Sequence, residues 1–150
     1  MNAGIEFLPG LEIRGIFTNN VRSLFIAAIL AIFSFGAAPL LVLATPSAII
    51  GFFTMQIAQG GADWLMFLAA FILPHGIVEI PAAVLATTFS LRLGASLTAG
   101  SDGEPTGDRF MQALADWVKV FVFMVVPLLL LAAFLESAVT PRVVALFYGG

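Results

Sequence analysis

Long apolar stretches separated by short polar breaks run along the whole 150-residue chain. Spanning the hydrocarbon core of a bilayer takes about twenty apolar residues in a helix. Three stretches meet that length: Val21–Ala44, Ile77–Thr98 and Ala113–Ala138. The pattern therefore predicts an all-α fold, a polytopic transmembrane helical bundle that forms one domain over residues 1–150.

Two further segments complete this domain. Residues 45–75 are apolar but are interrupted by Gly60, Gly61 and Asp63, so each half is too short to cross the bilayer alone. We expect a re-entrant hairpin or two short spans there. Residues 1–20 mix apolar side chains with charged ones and predict an interfacial N-terminal segment.

Composition supports a membrane protein. Hydrophobic residues make up 61% of the chain and charged residues 10%, and the mean hydropathy is +1.08. A soluble domain is closer to half apolar and a quarter charged. With no cysteine, the chain has neither a disulfide framework nor a thiolate metal site. It also lacks a basic patch with interleaved aromatic residues, which argues against a nucleic-acid partner.

The positive-inside rule predicts the orientation in the cell membrane. Five of the six basic residues lie near the N-terminus or the 99–109 loop if the number of crossings is odd, and only Arg142 lies on the other side. This multi-pass arrangement has a cytoplasmic N-terminus and an external C-terminus.

Small residues recur at three- and four-residue steps in two of the predicted spans. Membrane helices associate through close contact along such stripes, so we expect them to form the internal seams. We also expect a homodimer or higher oligomer, because so small a bundle does not enclose a buried hairpin alone. The stripes are Asn20, Ser23, Ala27, Ala31, Ser34 and Ala38, and Glu79, Ala83, Ala86, Ser90 and Gly94.

The most informative local sequence is the block from Pro74 to Pro81, which also contains His75, Gly76 and Glu79. Pro74 and Gly76 favour a break, which places His75 at a junction. On a helix, His75 and Glu79 lie one turn apart on one face. A carboxylate in an apolar helix is costly unless it is paired, neutralised or hydrated.

Three interpretations of this pair stay open: a polar clasp, a proton or cation site, and catalysis. Metal binding by two residues alone is disfavoured, because zinc normally takes at least three protein ligands. Glu136, at the end of the last span, is either a snorkelling end charge or a carboxylate lining a vestibule. No nucleophile elbow, zinc-protease motif or phosphate-binding loop is present, so no catalytic residue, cofactor or metal is predicted and the chain is not expected to be an enzyme.

The block from Pro74 to Ala82 resembles the stage II sporulation protein M family, as do the segments Asn19–Arg22 and Ala132–Pro141. The resemblance implies a polytopic membrane protein whose characteristic positions contain no catalytic residue. These positions are Asn20, Pro74, His75, Gly76, Glu79, Pro81 and Glu136.

Two functions follow from the resemblance as alternatives. The family's namesake is a membrane scaffold that recruits peptidoglycan-degrading partners, so one expectation is a recruiting subunit with a cell-wall hydrolase partner. The family is also similar in outline to the membrane halves of ABC exporters. The other expectation is therefore a channel or permease component that works with a separate ATPase.

Overall fold

The computed structural model describes residues 13–98 and 105–148. Four long helices account for nearly all of them: α1 (Ile13–Phe33), α2 (Ala38–Gln59), α3 (Trp64–Ala95) and α4 (Thr106–Tyr148). Each is long and apolar enough to cross a membrane. The described residues contain no strand. The predicted all-α polytopic bundle is confirmed.

The boundaries of the first predicted span differ from the structure. A turn at Phe35 and Gly36 divides the stretch Val21–Ala44 between α1 and α2. Both turn residues have positive φ, 51° and 95°, and the Gly36 amide donates to the carbonyl of Ala31 at 2.8 Å, which closes the helix end. Gly36 followed by Pro39 is a helix stop-and-start signal that the long apolar run conceals.

The Gly60–Asp63 turn lies where the sequence predicts it, but the helices that it joins are long. α2 has 22 residues and α3 has 32, so residues 45–75 belong to two full-length helices and not to a short hairpin. The Asp63 carboxylate caps α3 by accepting hydrogen bonds from the amides of Leu65 and Met66, at 2.9 and 3.1 Å.

Only part of the predicted N-terminal segment is described. Residues 1–12 lie outside the described part, and Ile13 to Asn20 form the first turns of α1, continuous with the rest of that helix. The span predicted at Ile77–Thr98 lies in α3, and Ala113–Ala138 lies inside α4.

Three prolines in α3 and α4 each follow a π-helical turn. The turns are Leu68–Ile72, Phe121–Val125 and Leu135–Val139, and the prolines are Pro74, Pro127 and Pro141. In each turn, the amide just before the proline donates to the carbonyl five residues back instead of four. A proline ring collides with the carbonyl four residues before it, and the wider π turn moves that carbonyl aside. Both helices therefore continue past their prolines.

α1 and α3 pack along the small-residue seam expected from the sequence. Ala27, Ala31, Ala86, Ser90 and Gly94 are buried there, whereas Ser23 is exposed. The approach is closest at Gly94, where an added Cβ would overlap the backbone of Gly36 and the carbonyl of Ala31. Against this seam packs the core of α4, whose buried members include Ala113, Trp117, Phe121, Val125 and Leu129.

Consecutive helices run in opposite directions, so α1 and α3 are parallel to each other and the bundle has two ends. At one, which we call the terminal end, the start of α1 lies with the end of α4; the Asn20–Glu79 hydrogen bond and the ring contact between Phe71 and Tyr148 (5.8 Å) fix this side. At the other, the Gly36 end, the α1–α2 turn contacts Gly94 and Arg92 pairs with Asp116.

The four described helices differ from the odd number of crossings on which the predicted orientation depends. An odd number of crossings puts the two ends of the chain on opposite sides, whereas four helices of alternating direction put Ile13 and Tyr148 at the same end. The basic residues are then divided evenly, three toward each end. Arg14, Arg22 and Arg142 lie toward the terminal end, and Arg92, Arg109 and Lys119 lie toward the Gly36 end.

A polar cluster between three helices

Four polar residues singled out in the sequence come together in the bundle. α1 contributes Asn20, α3 contributes His75 and Glu79, and α4 contributes Glu136. Glu79 lies in the middle of α3 and Glu136 lies near the end of α4, so only the packing of the helices brings them into one site. We call this group the polar cluster.

Short distances connect the members of the cluster. The side-chain amide of Asn20 donates to Oε1 of Glu79 at 3.2 Å. Nε2 of His75 lies 4.0 Å from Oε2 of Glu79. One ligand atom each from His75, Glu79 and Glu136 lie within 4.8 Å of one another. The cluster therefore brings two carboxylates and one imidazole to a single point.

Local sequence explains how each side chain reaches that point. His75 and Glu79 lie one helical turn apart immediately after the π turn that accommodates Pro74. Glu136 lies inside the π turn Leu135–Val139. A π turn shifts the direction of the side chains it contains, and such turns are frequent at functional sites.

The other motif positions, Pro74, Gly76 and Pro81, make ordinary packing contacts and do not belong to the polar cluster. A Cβ on Gly76 would meet only ordinary contacts, 3.5 Å from Cγ2 of Ile72, so the residue is not needed for a close approach. Pro81 lies inside a continuous helical segment with its surface exposed, and Pro74 likewise leaves the helix unbroken. The predicted break at His75 is wrong, because the π turn absorbs the proline.

The cluster lies deep along α3. At 1.5 Å per residue, Glu79 is about 22 Å from the start of that helix and about 24 Å from its end. His75 is largely buried and Glu79 is one-third exposed at its side chain. In the described ranges, no lysine or arginine forms an ion pair with Glu79 or Glu136. Two acidic side chains thus lie at the same depth among apolar helices, and no lysine or arginine of the described ranges is paired with them.

Two adjoining cavities of about 580 and 480 Å³ reach the cluster. Asn20 and Glu79 line both of them, and His75 and Glu136 line the larger one. The opposite wall consists of α2 residues such as Leu43 and Pro46. The cavities exist because α2 packs loosely, with Pro39 as its one buried residue.

Two polar contacts at the Gly36 end were not predicted from the sequence. The indole N–H of Trp117 donates to Oγ of Ser90 at 3.0 Å in the core, and Arg92 pairs with Asp116 at 2.8 Å on the surface. Lys119 lies three residues from Asp116 on the same helix, a spacing that is visible in the sequence. A contact between two helices that are far apart in the chain gives no such spacing in the sequence. Asn19, which lines both cavities, was also missed.

Chemically, the cluster offers one amide donor, one imidazole and two carboxylates beside space for a small polar ligand. Ser47 of α2 lines the same cavity as His75, and its hydroxyl donates to the Leu43 carbonyl of its own helix at 3.3 Å. The arrangement is suited to holding helices together or to binding a cation, and the fold defines a polytopic membrane protein with an internal polar site.

Comparison with known families agrees with this class. The sequence model for "stage II sporulation protein M" matches residues 9–141, and the chain belongs to that family. No curated protein and no solved structure gives a significant match.

Proposed function

We propose that the chain is a membrane scaffold or recruiting subunit with no turnover of its own. The observation that carries this proposal is the packing of α2. None of the apolar window of α2 is buried in the bundle, while α1 and α4 each bury 28% of theirs. Membrane helices gain stability from close packing with other helices. The face of α2 that points away from the bundle is thus available for a partner.

Large side chains dominate this available surface. They include Leu41, Ile49, Phe52, Phe53 and Met55, all exposed. Aromatic and methionine side chains are enriched at protein interfaces. A cell-wall hydrolase with a membrane anchor is the partner that the family resemblance favours.

A second candidate is a channel or permease component working with a separate ATPase. The two cavities favour it, because they open between α2 and the rest of the bundle and contain the polar cluster. A cavity beside carboxylates within the spanning helices is typical of membrane sites that handle polar solutes.

Site-specific crosslinking in native membranes separates the two candidates. A photoreactive residue at Phe53 of α2 is compared with one at Phe123 of α4, which is also exposed. A scaffold gives a cell-wall hydrolase crosslinked from Phe53 and not from Phe123. Recovery of an ATPase supports the permease instead, and recovery of neither contradicts both candidates.

Self-association belongs to the same proposal. A second copy is the simplest partner for α2, and two-fold dimers are the commonest assembly. Mass measurement in mild detergent and in lipid nanodiscs is expected to give a dimer or higher oligomer. A monomer in every lipid composition contradicts self-association but leaves recruitment of another protein to the crosslinking test.

We also propose that the chain lies in the cell membrane with its N-terminus in the cytoplasm. With four crossings, a cytoplasmic N-terminus puts the end of α4 in the cytoplasm as well. The Gly36 end then faces outward, where a cell-wall hydrolase acts.

A further inference from the structure

We propose that His75, Glu79 and Glu136 bind a divalent transition-metal cation such as Zn²⁺ or Mn²⁺ inside the bundle. The inference is independent of whether the chain recruits a partner or transports a solute. From the sequence alone, His75 and Glu79 are two ligands, one fewer than zinc sites normally have. The fold supplies Glu136 as the third.

The distances fit one shared ion. The three ligand atoms lie within 4.8 Å of one another. Ligands at about 2.0–2.2 Å from a metal are separated from each other by about 3–4.4 Å, depending on the coordination angle. A side-chain adjustment of about 1 Å brings the ligand atoms within that range, and both carboxylates are only partly buried.

Charge gives the physical reason for a cation. Glu79 and Glu136 lie together at an apolar level, and no lysine or arginine of the described ranges pairs with either. Two unpaired carboxylates at such a level are costly. A divalent cation compensates both charges at once and uses the imidazole as well.

The hydrogen bonds around the cluster leave ligand atoms of His75 and Glu79 free to bind an ion. Asn20 occupies Oε1 of Glu79, which leaves Oε2, the oxygen nearest His75, for an ion. Partners of this kind orient a ligating carboxylate. Nδ1 of His75 is buried and has no hydrogen-bond partner, so its imidazole is not committed to a protein contact on that side.

The ligand types select the class of cation. Imidazole with carboxylates suits zinc, manganese and iron, whereas calcium and magnesium prefer oxygen ligands alone. Three protein ligands leave at least one coordination position open, and the larger cavity is lined by all three of them. Water or a small anionic ligand has room to complete the coordination there.

The binding test uses the purified full chain in nanodiscs, prepared without a polyhistidine tag. Zn²⁺ is titrated against a chromophoric chelator. We expect one ion per chain, at least tenfold weaker binding in His75→Gln and Glu136→Gln, and unchanged binding in the control Asp108→Asn, an exposed carboxylate outside the cluster. Absence of binding, or equal binding by wild type and Glu136→Gln, overturns the proposal.

A second measurement needs no variant. His75 is the only histidine in the chain, so ¹⁵N-histidine labelling gives NMR signals from one imidazole. Zn²⁺ is expected to shift one of its nitrogen resonances, and Ca²⁺ at the same concentration is expected to leave both unchanged. Unshifted resonances at saturating Zn²⁺ overturn the site, and an equal response to Ca²⁺ overturns the assignment to transition metals.

Discussion

The helices pack closely at the Gly36 end of the bundle and loosely toward the terminal end. At the Gly36 end, backbone touches backbone around Gly94, and the buried polar groups Ser90 and Trp117 satisfy each other. Toward the terminal end, α2 packs loosely and cavities reach the centre of the bundle. Asn20, His75, Glu79 and Glu136 come together there, with no lysine or arginine of the described ranges paired to either carboxylate. The contrast indicates that close packing is concentrated at one end of the bundle, and that the polar groups with adjoining cavities lie toward the other.

The largest expected effect concerns the ends themselves. Single cysteines in this cysteine-free chain report sidedness without background. Gly15→Cys and Leu146→Cys are expected to react with an impermeant maleimide from the same side of the membrane, and Thr106→Cys only from the other. If Gly15→Cys and Thr106→Cys react from the same side, α1 and α4 do not have the antiparallel arrangement described above.

Next in size is the substitution Gly94→Ala. Its methyl group meets the backbone of Gly36 and Ala31, which cannot rotate away, so we expect a loss of about 3 kcal/mol, the upper part of the range for overpacking. The measurement is reversible unfolding in mixed micelles.

Gly51→Ala in α2 is the matched control. An added Cβ has open space there, and removing a glycine from a helix interior stabilises by about 0.5–1 kcal/mol. Equal losses for both alanine variants contradict the close packing at the Gly36 end.

In the polar cluster, Glu79→Leu is expected to cost about 1–3 kcal/mol in metal-free detergent, because the Asn20 amide loses its acceptor. Glu79→Gln keeps an oxygen for Asn20 and is expected to stay near the wild type. The same unfolding measurement distinguishes them. If Leu and Gln have the same effect, the Asn20–Glu79 hydrogen bond contributes nothing to the bundle.

A smaller loss is expected for Ser90→Ala, which leaves the indole N–H of Trp117 buried without an acceptor. We expect about 1 kcal/mol, the lower part of the range for an unsatisfied group. Thr88→Ala is the control, since its hydroxyl is exposed and donates to the Val84 carbonyl of its own helix. A Ser90→Ala effect no larger than the control's argues that the indole finds another acceptor.

The smallest effect is expected at the surface of the Gly36 end. Arg92 and Asp116 are both more than one-third exposed, and such ion pairs contribute about 0–1 kcal/mol. Arg92→Gln is expected to change stability by less than about 0.5 kcal/mol, with the difference vanishing at high salt. A larger loss that persists in high salt means that Arg92 contributes through packing of its stem.

Much of this protein is determined by local sequence. The apolar content sets the membrane class, since only lipid accommodates so many apolar side chains. The alanines and glycines of α1 and α3 predict the seam because the helical repeat places them on one face. Gly60, Gly61 and Asp63 predict a turn, since they favour positive φ and a capping carboxylate.

Only the tertiary structure decided the rest. Hydropathy is continuous across the Gly36–Pro39 signal, so the apolar run alone does not show that one helix ends there and that the described part has four long helices. Likewise, Pro74 predicts that a helix is interrupted at this point, but a π turn keeps α3 continuous. The meeting of Glu136 with His75 and Glu79 depends on two helices far apart in the chain, and no spacing rule for a single helix reaches across that distance.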